Sequence, residues 1–229
     1  QYTLHGSAMM RLQQRINGIR KPHVYVWGTG FINYSDADGK FFKRNMEFCA
    51  VRGELTRKNV ERMTGKKMDI PVADAGILAS ELLKERPEVC YDVGVVPHLC
   101  DLKDPAVEKL LASYDNAKFI NVKDDPLQVV KEIAECRYII SSSLHGLIVA
   151  DSLGIPNMYL VFGDRLLGDG YKFEDYYSAY GVEAQPRDLR TEKAPELTEI
   201  EEQYQILPEM VEEKKHQMKA AFPYPVKNR

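Results

Sequence analysis

The segment Ser141-Ser142-Ser143-Leu144-His145-Gly146 brings three hydroxyl groups and an imidazole together directly after an apolar run. If a helix begins here, the hydroxyls and the free backbone N–H groups lie at the positive end of its dipole, where anions bind. An imidazole at the same turn can transfer a proton near neutral pH. The alternative is that one serine only caps the helix and that His145 is a packed core residue.

Arg52 and His98 also stand where predicted strands end. The guanidinium of Arg52, at the end of AVRG, suits bidentate binding of a carboxylate or phosphate, and a solvated surface arginine is the alternative. His98 follows the apolar run VCYDVGVV, and Asp101 lies three residues on. A His98–Asp101 pair is one interpretation. The other is that Asp101 caps the next helix and His98 only covers the end of the sheet.

The composition argues against several classes of function. The 229 residues carry 31 Lys and Arg against 34 Asp and Glu, a formal net charge of -3, which argues against affinity for nucleic-acid phosphates. The sequence shows no long apolar run and no signal peptide, and its four cysteines form no CxxC pair, so we expect no transmembrane segment and no metal site. Gly28-Thr29-Gly30 lacks the third glycine and the acidic residue of a nicotinamide-binding turn.

These residues need a framework that brings strand ends together. Short β-rich runs alternate with helical stretches, an order typical of βαβ units and parallel sheets. Ligands of such sheets bind at the carboxyl ends of the strands. Strands are predicted at 23–28, 48–51, 89–96, 118–122, 137–141 and 157–162, and helices at 7–19, 53–65, 76–84, 104–113, 126–136, 144–153 and 208–222.

An ordered set of motifs resembles the polysaccharide pyruvyltransferase family. The most specific of them is SSSLHGLIVADSLGIPN, and the others are AVRGELTRK, GVVPHLCD and DPLQVVKEIAECRYIIS upstream and YKFEDYY downstream. Together they extend over approximately residues 25–180.

The resemblance implies an α/β, GT-B-like fold, in which two Rossmann-like domains with parallel sheets face each other across a cleft. The first strand of the family and its Asn-x-Gly-Asp-like segment are not found, and the chain begins with Gln1, so we expect the N-terminal domain to be incomplete. The expected ranges are 1–66 for the N-terminal Rossmann-like part, 67–190 for the C-terminal Rossmann-like domain, and 191–229 for a linker and helix.

The resemblance also implies transfer of a pyruvyl group from phosphoenolpyruvate to a saccharide as a ketal, in bacterial polysaccharide biosynthesis. The implied partners are phosphoenolpyruvate, as donor substrate without a further cofactor, and a saccharide or lipid-linked oligosaccharide; a homo-oligomer is compatible with it. The expected location is the cytoplasm, including the inner face of the membrane. The alternatives are a GT-B-type glycosyltransferase that uses a nucleotide sugar and a catalytically silent scaffold of the same fold, because fold alone does not decide function.

Site residues follow from these motifs. His145 is the expected general acid and His98 the second catalytic residue. Asp74 matches a family element in which Ala75 replaces the usual proline, and a helix cap is its alternative role. The expected substrate-binding residues are Arg52, Ser142, Ser143, Leu144, Lys172 and Asp74.

One departure from the family concerns charge. Ser143 stands where many relatives carry an arginine, so another cation is expected to meet the anionic donor. We expect Lys172, in the loop predicted after the strand that ends at Phe162, with Arg165 as the next candidate. The alternative is a solvated Lys172 paired with Glu174 or Asp175.

Overall fold

The computed structural model describes residues 23–37, 46–163 and 169–224. The helix predicted at 7–19 lies outside these residues. The elements are, in chain order, β1 (Val24–Val26), α1 (Tyr34–Ala37), β2 (Met46–Phe48), α2 (Glu54–Thr64), a 3₁₀ helix (Ala75–Leu82), β3 (Tyr91–Val96), α3 (Pro105–Leu111), β4 (Ala117–Phe119), α4 (Pro126–Ala134), β5 (Cys136–Ser141), α5 (Leu144–Ser152), β6 (Asn157–Val161), α6 (Tyr171–Ser178), β7 (Arg187–Asp188), α7 (Leu197–Gln203) and α8 (Pro208–Ala220).

The chain divides into two compact units, neither of which is continuous in sequence. The first consists of residues 1–75, 167–183 and 213–229, and the second of 76–166 and 184–212. The predicted ranges 1–66, 67–190 and 191–229 differ from this division because the chain returns to the first unit twice. α6 packs against α2, and the Trp27 indole donates a hydrogen bond to the backbone oxygen of Met218 in α8 (2.9 Å).

A five-stranded parallel sheet forms the second unit, in the order β4-β3-β5-β6-β7. This confirms the predicted α/β class with parallel strands. Two core clusters surround the central strands, one including Val93, Val95, Ile140 and Leu160 and the other Val96, Ile133 and Ile139. Because β3 and β5 are neighbours and parallel, the loops that follow them leave the sheet at the same edge.

Local capping explains the helices of the second unit. The Asp125 carboxylate accepts hydrogen bonds from the N–H groups of Leu127 (3.0 Å) and Gln128 (3.2 Å), and Pro126 occupies the first helical position. Asp104 caps α3 in the same way, through the N–H of Ala106 (2.9 Å). The interpretation of Asp101 as the cap of this helix is therefore wrong.

The first unit contains the parallel pair β1–β2. Isolated parallel bridges continue this pairing, from Thr29 to Val51 and from Val51 to Val72. The N–H of Arg52 donates to the backbone oxygen of Thr29 (3.0 Å), and that of Ala73 donates to the oxygen of Val51 (2.9 Å). These bonds place Arg52 and Asp74 on adjacent extended segments.

Three segments differ from the predicted elements. The helix predicted at 76–84 is a 3₁₀ helix, and the Glu- and Pro-rich part of the expected linker contains α7. The predicted loop around YKFEDYY is α6, which begins after Gly170 in the left-handed conformation (φ 79°). Its buried residues include three aromatic side chains and a carboxylate, so its inward face does not show the apolar stripe of an ordinary amphipathic helix.

The start of α5 lies very close to the sheet. A Cβ atom at Gly146 would come within 3.0 Å of Ser141 Oγ and of Val96 Cγ1. Only glycine allows this approach, because the Ser141 hydroxyl is itself held between backbone groups, 2.7 Å from the oxygen of Val96 and 3.0 Å from the N–H of Ser143.

Replacing Gly146 by Ala is expected to destabilise the protein, although alanine is the better helix former by about 1 kcal/mol. Overpacking a core typically costs about 1–3 kcal/mol, so the midpoint of thermal unfolding should fall. Gly163→Ala is the matched control, since an added Cβ there meets nothing within 4 Å. An unchanged midpoint in Gly146→Ala would contradict the close approach.

Candidate functional site

The first turn of α5 presents an exposed histidine at the carboxyl end of β5. His145 is exposed, whereas Ser143 and Leu144 on either side of the helix start are buried. The interpretation of His145 as a packed core residue is therefore wrong. Among the described residues, no side chain forms a hydrogen bond or ion pair with its imidazole. Its role as a proton donor stays a prediction.

Ser143 occupies the N-cap position of α5 without capping the helix through its side chain. Its backbone N–H donates to Ser141 Oγ (3.0 Å) instead, and its backbone oxygen accepts from the N–H of Gly146 (3.0 Å). The N–H groups of Leu144 and His145 belong to the first turn, where backbone donors lack intrahelical acceptors. This is the chemistry of an anion site at a helix N-terminus.

The Ser142 hydroxyl connects the loops that follow β3 and β5. It donates to Asp101 Oδ2 (2.7 Å) and accepts from the backbone N–H of His98 (2.8 Å). Ser142 is 0% exposed and Asp101 1% exposed, so both groups are satisfied inside the protein. Ser142 thereby positions His98, and its predicted contact with substrate stays a prediction.

The His98–Asp101 side-chain pair does not form. The backbone N–H of Asp101 donates to the backbone oxygen of His98 (2.8 Å), while the Asp101 carboxylate bonds Ser142. The His98 ring contacts Cys100 instead, with 2.7 Å between Nδ1 and Sγ. His98 is half-buried, so it does more than cover the end of the sheet.

A buried ion pair holds Arg52 in the first unit. Its Nε donates to Asp175 Oδ2 (2.9 Å), and its Nη2 donates to the backbone oxygen of Phe31. The Asp175 carboxylate also accepts from the hydroxyl (2.6 Å) and the N–H (2.7 Å) of Thr56. With Arg52 6% exposed and Asp175 0% exposed, the interpretation of Arg52 as a solvated surface residue is wrong.

Two opposing influences act on the Asp175 carboxyl. Burial raises its pKa above the ordinary value for aspartate, and the charge of Arg52 and the hydrogen bonds from Thr56 oppose that increase. Glycines enclose the pair closely, because a Cβ at Gly53 would overlap the backbone oxygen of Asp175 and one at Gly30 would meet Asp175 Oδ2. The phosphoenolpyruvate contact expected of Arg52 stays a prediction for its remaining N–H donors.

The other predicted residues of the first unit are Asp74 and Lys172. Asp74 is buried and directly precedes the 3₁₀ helix. Lys172 is half-buried on α6, with its ammonium 5.2 Å from the centroid of the Phe173 ring. Its proposed partners are engaged elsewhere: Asp175 bonds Arg52, and Glu174 accepts the Tyr34 hydroxyl, which raises the pKa of Tyr34 to about 12.

The predicted site residues thus lie in two different units. Arg52, Asp74 and Lys172 belong to the first, and His98, Ser142, Ser143, Leu144 and His145 to the second. Arg165 lies outside the described residues. Within 23–37, 46–163 and 169–224, no group of His, Cys, Asp and Glu is arranged to hold a metal ion, and no helix is long and apolar enough to cross a membrane.

Two partners in these sites were missed in the sequence. Asp175 lies 123 residues after Arg52, and one sequence gives no signal for a pair at that distance. Cys100 stands two residues after His98, and that spacing after a strand end was an available signal.

Parallel strands with polar groups at their carboxyl ends define an α/β protein whose ligand is expected at that edge. A model of the family described as polysaccharide pyruvyl transferase matches residues 17–162. The chain belongs to this family, as its motifs predict. The segment that carries α6 follows the matched residues.

Two relatives are similar to this chain. The uncharacterized protein L143 of Acanthamoeba polyphaga mimivirus is 34% identical over 166 residues, which cover 70% of this chain and 56% of that protein. The succinoglycan biosynthesis protein ExoV of Rhizobium meliloti (strain 1021) is 23% identical over 169 residues, which cover 72% of this chain and 50% of that protein. The chain therefore spans about half the length of the curated relatives it matches.

Removing the carboxylate from Asp175 is expected to destabilise the protein strongly. Asp175→Ala leaves the buried Arg52 without its counter-charge, and breaking a buried pair in this way costs about 3–5 kcal/mol. Urea unfolding followed by circular dichroism measures the loss. Glu174→Ala, at the exposed neighbour, is the control and should change the free energy of unfolding by less than about 1 kcal/mol. Equal midpoints for the two variants would refute a stabilising pair.

Proposed function

We propose that this protein transfers a pyruvyl group from phosphoenolpyruvate to a saccharide during polysaccharide biosynthesis. His145 carries the proposal: a member of this family exposes an imidazole at a helix start whose N–H groups suit an anion. ExoV, the distant relative, is named for the biosynthesis of a polysaccharide, which supports the same process. A GT-B-like arrangement of two Rossmann-like domains facing a cleft belongs to the proposal.

The proposed reaction begins with protonation of the donor. His145 gives a proton to the methylene carbon of phosphoenolpyruvate, and C2 becomes oxocarbenium-like. One acceptor hydroxyl adds to C2 and loses its proton, phosphate leaves, and a second hydroxyl closes the ketal and loses its proton. The proton taken up at the methylene carbon becomes part of a methyl group, and the balance requires no redox cofactor. Positioned proton transfer typically contributes about 10²–10⁴-fold to the rate.

Binding of the donor is proposed to use both helix-start N–H groups and cations. Phosphoenolpyruvate carries a phosphate and a carboxylate, and a helix terminus offers only about half an elementary charge. Arg52 and Lys172 are proposed to supply the remaining positive charge, and Ser143, Leu144 and Asp74 to contact the substrates. A location in the cytoplasm or at the inner face of the membrane is proposed with this donor.

The function is tested with the purified protein, phosphoenolpyruvate and a panel of oligosaccharide acceptors. We expect release of inorganic phosphate together with an acceptor whose mass increases by one pyruvyl ketal. His145→Gln should lower turnover by about 10²–10⁴-fold while the thermal midpoint stays unchanged, because the side chain is exposed. Transfer of a sugar from nucleotide sugars would indicate the glycosyltransferase alternative, and near-normal turnover in His145→Gln would remove His145 from the mechanism.

Lys172→Met is expected to raise the KM for phosphoenolpyruvate much more than the KM for the acceptor. The loss of one charge-assisted contact, worth about 1.5–3 kcal/mol, corresponds to about 10- to 150-fold. Lys58→Met is the matched control, because Lys58 is exposed on α2 of the same unit. If Lys172→Met leaves phosphoenolpyruvate kinetics unchanged, Lys172 is not the compensating cation and Arg165 becomes the next candidate.

A further inference from the structure

The His98 ring receives two donors at one nitrogen. The backbone N–H of Cys100 points at Nδ1 (3.4 Å), and Cys100 Sγ lies 2.7 Å from the same atom. A backbone N–H is always a donor, so Nδ1 must offer its lone pair to it. A proton on Nδ1 would oppose that N–H, and the sulfur contact is then a thiol S–H that donates to the ring.

A neutral imidazole whose Nδ1 accepts carries its proton on Nε2. The backbone of His98 is also fixed, because its N–H donates to the buried Ser142 hydroxyl (2.8 Å), which is bonded to Asp101. The residue is thus fixed by its backbone at one end and by Nδ1 at the other. Rotation of the ring would break the contact with Cys100.

We propose that Cys100 is a positioning residue that sets the tautomer of His98. His98 is then a neutral donor through Nε2–H, and its task is to bind an oxygen atom of an anion and not to remove a proton. The identity of that anion as phosphoenolpyruvate rests on the proposed function. The tautomer itself does not, since it follows from contacts within the loop Pro97–Asp101.

The tautomer is read directly from the nitrogen chemical shifts of the imidazole. Two-bond ¹H–¹⁵N correlation spectra of the labelled protein, with the His98 signals assigned by their loss in His98→Gln, should show a pyridine-type Nδ1 and a pyrrole-type Nε2. A protonated Nδ1 in the unliganded protein at neutral pH overturns the proposal, whatever reaction the protein performs.

Variants of Cys100 separate a positioning role from simple packing. Cys100→Ala removes the thiol donor and should raise the fraction of the Nδ1–H tautomer, while Cys100→Ser, which keeps a donor, should restore the wild-type shifts. Cys90→Ala, an exposed cysteine of the same unit, is the control and should change none of the His98 signals. Unchanged His98 shifts in Cys100→Ala would show that the thiol does not set the tautomer.

Titration with inorganic phosphate tests the donor role without any acceptor or turnover. Phosphate should shift the Nε2–H signal of His98, and Cys100→Ala should weaken phosphate binding by about 2- to 10-fold, the value of one ordinary hydrogen bond. No perturbation of His98 by saturating phosphate overturns the anion-donor role. If phosphate binds as expected but no pyruvyl transfer is detected, the proposed function fails and the donor role of His98 stands.

Discussion

The buried Ser142 hydroxyl is the interaction on which the site of the second unit depends. It joins the loop after β3 to the loop after β5, with Asp101 on one side and His98 on the other. A buried polar group that loses its partner costs about 1–3 kcal/mol, so the two loops keep a single relative position. The helix start that exposes His145 follows from the same loop, because Ser143 and Gly146 continue directly from Ser142. Precise placement of the polar groups therefore comes from inside the protein, below the exposed surface.

The first unit uses a charged pair where the second uses a hydroxyl. Arg52 and Asp175 are fully enclosed, and Thr56 supplies two more hydrogen bonds to the carboxylate. Burial of charge costs free energy that such a pair recovers only when its geometry and its further hydrogen bonds are good. Glycines at 30 and 53 allow that geometry by leaving room for the carboxylate and the guanidinium.

Local signals in the sequence predicted much of the fold but less of the site. The alternation of strands and helices gave the parallel α/β class, and Asp125 with Pro126 marked the start of α4, because periodicity and capping act over a few residues. The family motifs identified the family. α6 was missed because its buried face mixes tyrosines with a carboxylate, and the partners of Arg52 and His98 were missed because they depend on tertiary packing.

The sequence separation within the Arg52–Asp175 pair has a consequence for synthesis of the protein on the ribosome. Arg52 leaves the ribosome 123 residues before its counter-ion. All of β3, β4, β5 and β6 are made in that interval, so most of the parallel sheet of the second unit is available for folding first. N-terminal domains ordinarily fold first during translation. Here the N-terminal residues must wait for α6, and in the meantime the guanidinium of Arg52 has only water and its local neighbours as partners.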